Sequence, residues 1–187
     1  MSTGIVLVVV VVVVAVVVAG IVAGMAVHRR RRMRLRDRFG PEYERAVEAT
    51  GSRRAAEQEL DARERRFADL EIRPVPGEER KRYALRWARI QEEFVDGPEA
   101  AVHDADELLA ELMRDRGYPD EGYEQRLCDL SVRHGRALEQ YREALEVHAM
   151  STSGSASTEQ LRGAMMHYRT LFDDLLADGE PTGAGRS

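Results

Sequence analysis

Residues 5–38 read IVLVVVVVVVAVVVAGIVAGMAVHRRRRMRLRDR, and this stretch decides the architecture. From Ile5 to Val27 there are 23 consecutive residues without a charge, sixteen of them Val, Ile or Leu. As an α-helix the run is about 35 Å long, enough to cross a hydrocarbon core of about 30 Å with some tilt. Valine is a poor helix former in water, but lipid offers unpaired backbone groups no other partner, so a helix is the expected form. Residues 1–27 are therefore expected to be an N-terminal transmembrane anchor.

The flanking charges give the anchor a direction. Arg29, Arg30, Arg31, Arg32, Arg34, Arg36 and Arg38 follow the run with only Asp37 against them, whereas Met1 to Gly4 carries the α-amino group alone. The positive-inside rule then predicts a single-pass protein of the cell membrane, N-terminus outside and C-terminal domain cytoplasmic. A cleaved signal peptide is the rival reading, with small residues around Gly24-Met25-Ala26. It lacks a basic n-region, exceeds the usual apolar length of about 7–15 residues, and has its arginines on the wrong side. The collar at 28–38 is first a stop-transfer signal. Its seven arginines are also expected to contact anionic lipid, at about 1 kcal/mol each near the surface. Within the span, Ala15, Ala19 and Ala23 recur every fourth residue, and Gly20 and Gly24 form a G-x-x-x-G beside them. Small residues on one face let two backbones approach, which predicts a face for a transmembrane homodimer.

The net charge of −5 hides an asymmetry: with the collar at about +6, the remainder carries about −11. An acidic domain argues against nucleic acid as the main partner, since phosphate binding needs a cationic face. Lys81 is the only lysine and Cys128 the only cysteine. A lone thiol excludes an intrachain disulfide and fits a reducing compartment.

Beyond the collar, apolar residues recur with a period near 3.6 and never alternate as in strands. The fold class expected is all-α: the transmembrane helix followed by a cytoplasmic bundle of about five helices over 39–177, then a disordered tail at 178–187. Gly40-Pro41 ends the juxtamembrane helix, and Phe39, Tyr43, Ala46 and Val47 mark a short face after it. Ser52 opens a helix to about Leu70, with Ala56, Leu60, Phe67 and Leu70 on one side and its Arg/Glu pairs expected to form a solvated face. Pro74-Val75-Pro76-Gly77 breaks the chain before a helix over about 78–95, whose stripe of Tyr83, Trp87, Ile90 and Phe94 is a core face or a partner surface. A helix over about 99–116 follows, with Asp104, Asp106 and Glu107 expected as a first-turn acidic bias that favours the helix dipole. The next runs over about 120–149, broken near Ser131 to Gly135, and a Ser157/Gln160 capping box opens the last.

No chemistry-bearing motif is found. Lys81 lies between two arginines, so there is no P-loop, and neither G-x-G-x-x-G nor G-x-S-x-G occurs. The five histidines have no zinc spacing and no glutamate three residues before them. Cys128 and His134 are six apart, off a common helix face. No catalytic residue, cofactor or metal is expected, and the chain is read as a non-enzyme.

Four segments carry a resemblance: Phe39-Gly40-Pro41-Glu42-Tyr43-Glu44-Arg45-Ala46-Val47, Leu70-Glu71-Ile72-Arg73-Pro74, Arg116-Gly117-Tyr118-Pro119, and Met166-His167-Tyr168-Arg169 with Leu171-Phe172. Together they resemble a family of actinobacterial single-pass membrane or putative secreted proteins of unknown function, over nearly all of residues 28–177. The resemblance implies a lineage and no activity. The expected role is a membrane-tethered interaction or scaffold module with a cytoplasmic protein partner. A regulator responding to pH or lipid charge is the second expectation, and an enzyme with a dispersed site the third.

Overall fold

The computed structural model describes the backbone of residues 2–178 and the side chains of residue 13 and residues 15–178. Among these residues every regular element is an α-helix: α1 (Ser2–Phe39), α2 (Pro41–Thr50), α3 (Arg53–Ala68), α4 (Gly77–Glu93), α5 (Pro98–Asp115), α6 (Tyr123–Thr152) and α7 (Thr158–Ala177). The tail over 179–187 lies outside them. Among the described residues no helix is long and apolar enough to cross a membrane. The expected span over 5–27 falls partly outside them, since the side chains of 5–12 and 14 are not described.

Helix α1 is a single element of 38 residues, about 57 Å at 1.5 Å per residue. The expected divisions at 27/28 and 38/39 therefore mark changes of chemistry without a break in the backbone. Between Met25 and Phe39 there is no glycine or proline, and arginine is a good helix former. The chain turns only at Gly40, whose φ of 54° suits a residue without Cβ, and Pro41 opens α2. Ten residues later Gly51 ends α2 in the left-handed conformation, so six helices follow α1 where about five were expected.

The core lies where α5, α6 and α7 meet, and α4 and the end of α1 close it. Leu108, Leu109, Leu112, Leu130, Leu138, Leu171 and Phe172 are all buried, and Trp87 stacks on Phe172 with ring centroids 4.8 Å apart. Leu35 and Phe39 are fully buried as well, so the last turn of α1 is part of the core. The capping box at Ser157 and Gln160 is present, each side chain bonded to the other's backbone N–H.

Helix α6 is broken at His134 (φ −115°, ψ 26°), inside the segment where a break was expected. The end of α1 packs there: a Cβ on Gly135 would lie 2.7 Å from the Phe39 carbonyl oxygen. Only glycine admits that approach.

Candidate functional site

Three turns of the collar face α3. Arg31 pairs with Asp61. Arg34 Nη2 lies 2.9 Å from Glu64 and 3.6 Å from Asp61, and Arg38 Nη1 lies 2.9 Å from Glu64. Steps of three and four along α1 place these arginines on one face, and a step of three on α3 places both carboxylates opposite. The numbers rise together on the two helices, so α1 and α3 run in the same sense, and α3 begins beside the end of the apolar segment. The charged face of α3 expected in solvent is thus turned toward the collar. The helical period revealed that face; its partner lies 30 residues away and was not apparent.

The rest of the collar behaves differently. Arg36 pairs with Glu44 at 2.7 Å. Arg32 lies beside the Tyr43 hydroxyl, which donates to the buried Glu57 carboxylate at 3.1 Å. Burial first, and Glu57 next, push the Tyr43 hydroxyl up from its ordinary pKa. Among the described residues, Arg29 and Arg30 make no ion pair. Before them the helix is bare: Val13, Val16, Val17, Val18, Ile21, Val22, Met25 and Val27 are 52 to 67% exposed. Ala15, Ala19 and Ala23 are exposed too, and a Cβ on Gly20 or Gly24 would meet nothing within 4 Å. The small-residue face is uncovered in the single chain.

The aromatic stripe of α4 points inward. Tyr83, Trp87 and Ile90 are buried, and Phe94 is half-buried at the edge of an apolar cleft with Met165 and Met166.

Two polar clusters in the bundle were not legible beforehand. At the kink of α6, His134 is 3% exposed. Its Nδ1 lies 2.6 Å from Asp174, and its Nε2 lies 3.2 Å from the Tyr118 hydroxyl and 3.8 Å from Asp178. The hydrogen bond from His134, ahead of the cost of burial, holds the Asp174 carboxyl below the usual carboxylate range. Beside it Arg116, 1% exposed, donates to the Leu175 carbonyl and Asp178 at 2.7 Å each and to the Arg73 carbonyl at 3.1 Å. One guanidinium ties the α3–α4 loop to the end of α7, and the fork geometry of arginine makes that possible.

The second cluster surrounds Asp106, expected in a first-turn acidic bias; α5 begins at Pro98, so its first turn holds only Glu99 and Asp106 lies two turns further on. It is turned inward, 3.8 Å from His148 and facing the buried Tyr168 hydroxyl without a hydrogen bond of ordinary length. Burial pushes its carboxyl above the ordinary value, against the pull of His148. His148 in turn lies 3.4 Å from His103. Cys128 is partly buried, and burial pushes its thiol up, away from nucleophile character. Among the described residues no three His, Cys, Asp or Glu side chains are grouped to hold a metal ion.

No protein-family model, curated protein or solved structure matches this chain.

Proposed function

We propose that the chain is a membrane-tethered helical module that presents its bundle to a protein partner at the cytoplasmic face. The observation that carries this is the exposed apolar face of α1, continuous in sequence with the uncharged run before it and in the same helix as the buried Leu35 and Phe39. So much bare valine is an aggregation hazard in water and is stable in lipid. The arginines placed directly after it support an N-terminus outside and a bundle inside. The uncovered small-residue face supports a homodimer within the bilayer. The cleft beside Phe94 and the exposed Met166 supports a partner surface on the bundle, since flexible methionine suits such surfaces.

Alkaline carbonate extraction and protease protection in spheroplasts test this reading together. The full chain is expected to stay in the membrane pellet and to resist external protease. Release by carbonate, or digestion of the bundle from outside, would overturn it.

A second reading, a pH-responsive regulator, is favoured by His134. The observation is a buried histidine ringed by charged groups at the kink of α6. Here Asp174 and Asp178 of α7, Tyr118 of the α5–α6 loop and Arg133 of α6 all face the ring or its carboxylate partners, with Arg38 of α1 beside them. A change of compactness between pH 5 and about 7 supports it; an unchanged hydrogen-exchange profile sinks it.

A further inference from the structure

Of the seven collar arginines four are ion-paired, whereas Arg29, Arg30 and Arg32 have no ion pair among the described residues, and this difference assigns a ligand. Arg31, Arg34, Arg36 and Arg38 are committed to Asp61, Glu64 and Glu44. Arg29 and Arg30 are not paired among the described residues, and neither are Arg53 and Arg54, which open α3. No acidic residue stands in the first turn of α3 to neutralise that pair. Because α1 and α3 run in the same sense, Arg53 comes to lie beside Arg29 and Arg32, at the level where the apolar segment ends.

These residues line a cleft of about 850 Å³ between α1 and α3 with two kinds of wall. Val22, Met25 and Ala26 form the apolar side, and Arg29, Arg32 and Arg53 form the cationic side. The one carboxylate in the cleft, Glu57, is buried and already accepts from the Tyr43 hydroxyl at 3.1 Å. Apolar surface next to guanidinium groups that hold no carboxylate among the described residues matches a molecule with a hydrocarbon part next to a phosphate. Arginine is also the side chain best suited to grip phosphate oxygens in pairs.

We infer that this cleft is a specific site for an anionic glycerophospholipid, its phosphate held by Arg29, Arg32 and Arg53 and its acyl chain lying against Val22 and Met25. The collar is thus not a uniform lipid-contacting band: Arg31, Arg34 and Arg38 hold the bundle, and the opposite set holds lipid. The inference rests on the membrane reading above.

Native mass spectrometry of the full chain in mild detergent tests it, with dioleoyl phosphatidylglycerol, dioleoyl phosphatidylcholine and inorganic phosphate as probes. The wild type is expected to retain phosphatidylglycerol over phosphatidylcholine. The double variant R29Q/R53Q is expected to lose roughly 30-fold in phosphatidylglycerol affinity, at about 1 kcal/mol per arginine. R31Q should change it by less than about threefold, its arginine being engaged elsewhere. Arg29 and Arg53 are exposed and unpaired, so the double variant keeps its helical circular dichroism. Retention equal to wild type in R29Q/R53Q overturns the site. Displacement of the lipid by an equal concentration of inorganic phosphate overturns the lipid assignment. Carbonate extraction of the same variants separates the two ideas, since loss of the cleft leaves the chain in the membrane pellet and failure of the anchor does not.

Discussion

The Phe39 carbonyl oxygen sits where the side chain of residue 135 would begin, 2.7 Å from the Cβ that Gly135 lacks. The end of the first helix is therefore locked into the kink of α6 by backbone contact. Gly135→Ala gains helix propensity of up to about 1 kcal/mol yet must push a backbone carbonyl aside, for a net loss of about 1–3 kcal/mol. Gly163→Ala, within α7 where a Cβ meets nothing within 4 Å, should instead stabilise by roughly 0.5–1 kcal/mol. Thermal melts of the two variants in detergent should move in opposite directions. A rise for Gly135→Ala would show that the contact yields freely.

Charge reversal tests the pairing of α1 with α3. Glu64→Arg sets like charges against Arg34 and Arg38 and should cost about 1–2 kcal/mol at low salt. Adding Arg38→Glu should restore part of that loss, and 1 M salt should shrink the difference between the variants. A double-mutant cycle on chemical denaturation reads the coupling. Zero coupling would mean that the ladder contributes nothing.

Arg116 is the most exacting residue of the bundle. Arg116→Met strands the Leu175 and Arg73 carbonyls and leaves Asp178 to Arg133 and His134, and should destabilise by about 2–4 kcal/mol. Arg116→Lys should recover little, because a single ammonium does not reproduce the fork. Full stability in the lysine variant would refute the role given to the fork.

Asp174 and Asp106 should respond to pH with opposite signs. The Asp174 carboxyl is held below its ordinary value by His134, so its contribution is present above the unfolded value of about 3.9 and is lost as pH falls through the lower folded value. The Asp106 carboxyl is pushed up by burial, so its contribution is present below about 3.9 and is lost as pH rises through the higher folded value. The gain in stability from pH 3 to pH 7 should therefore narrow in Asp174→Asn and widen in Asp106→Asn. Urea denaturation at the two pH values measures both, and equal gains in the two variants would contradict the assignment.

The helical architecture was legible because each element carries its own start and stop: Pro41, Pro98, the Ser157 capping box, and a stripe such as Tyr83-Trp87-Ile90. The break at residues 131–135 was also visible, although its cause was not, because Phe39 approaches from almost 100 residues away. Buried polar residues were the least legible. Arg116, His134 and Asp106 sit in stretches whose composition is that of an exposed surface, and only tertiary contact shows which of many arginines or aspartates turns inward. The fate of the collar shows the same limit. The sequence shows seven arginines after an apolar run, while which of them are ion-paired depends on Glu44 of α2 and on Asp61 and Glu64 of α3.

The junction of α1 with the bundle also constrains motion. Helix α1 runs unbroken from Ser2 to Phe39, and Leu35, Phe39 and a ladder of ion pairs hold its last turns to the bundle. On the membrane reading proposed above, the bundle would be the head of a lever whose angle follows the tilt of the shaft. Each face of the bundle would then keep its height and bearing above the lipid, and a partner would have to approach within that narrow layer. Rotation of the shaft, as when two such helices pair, would reach the far end of the bundle undamped.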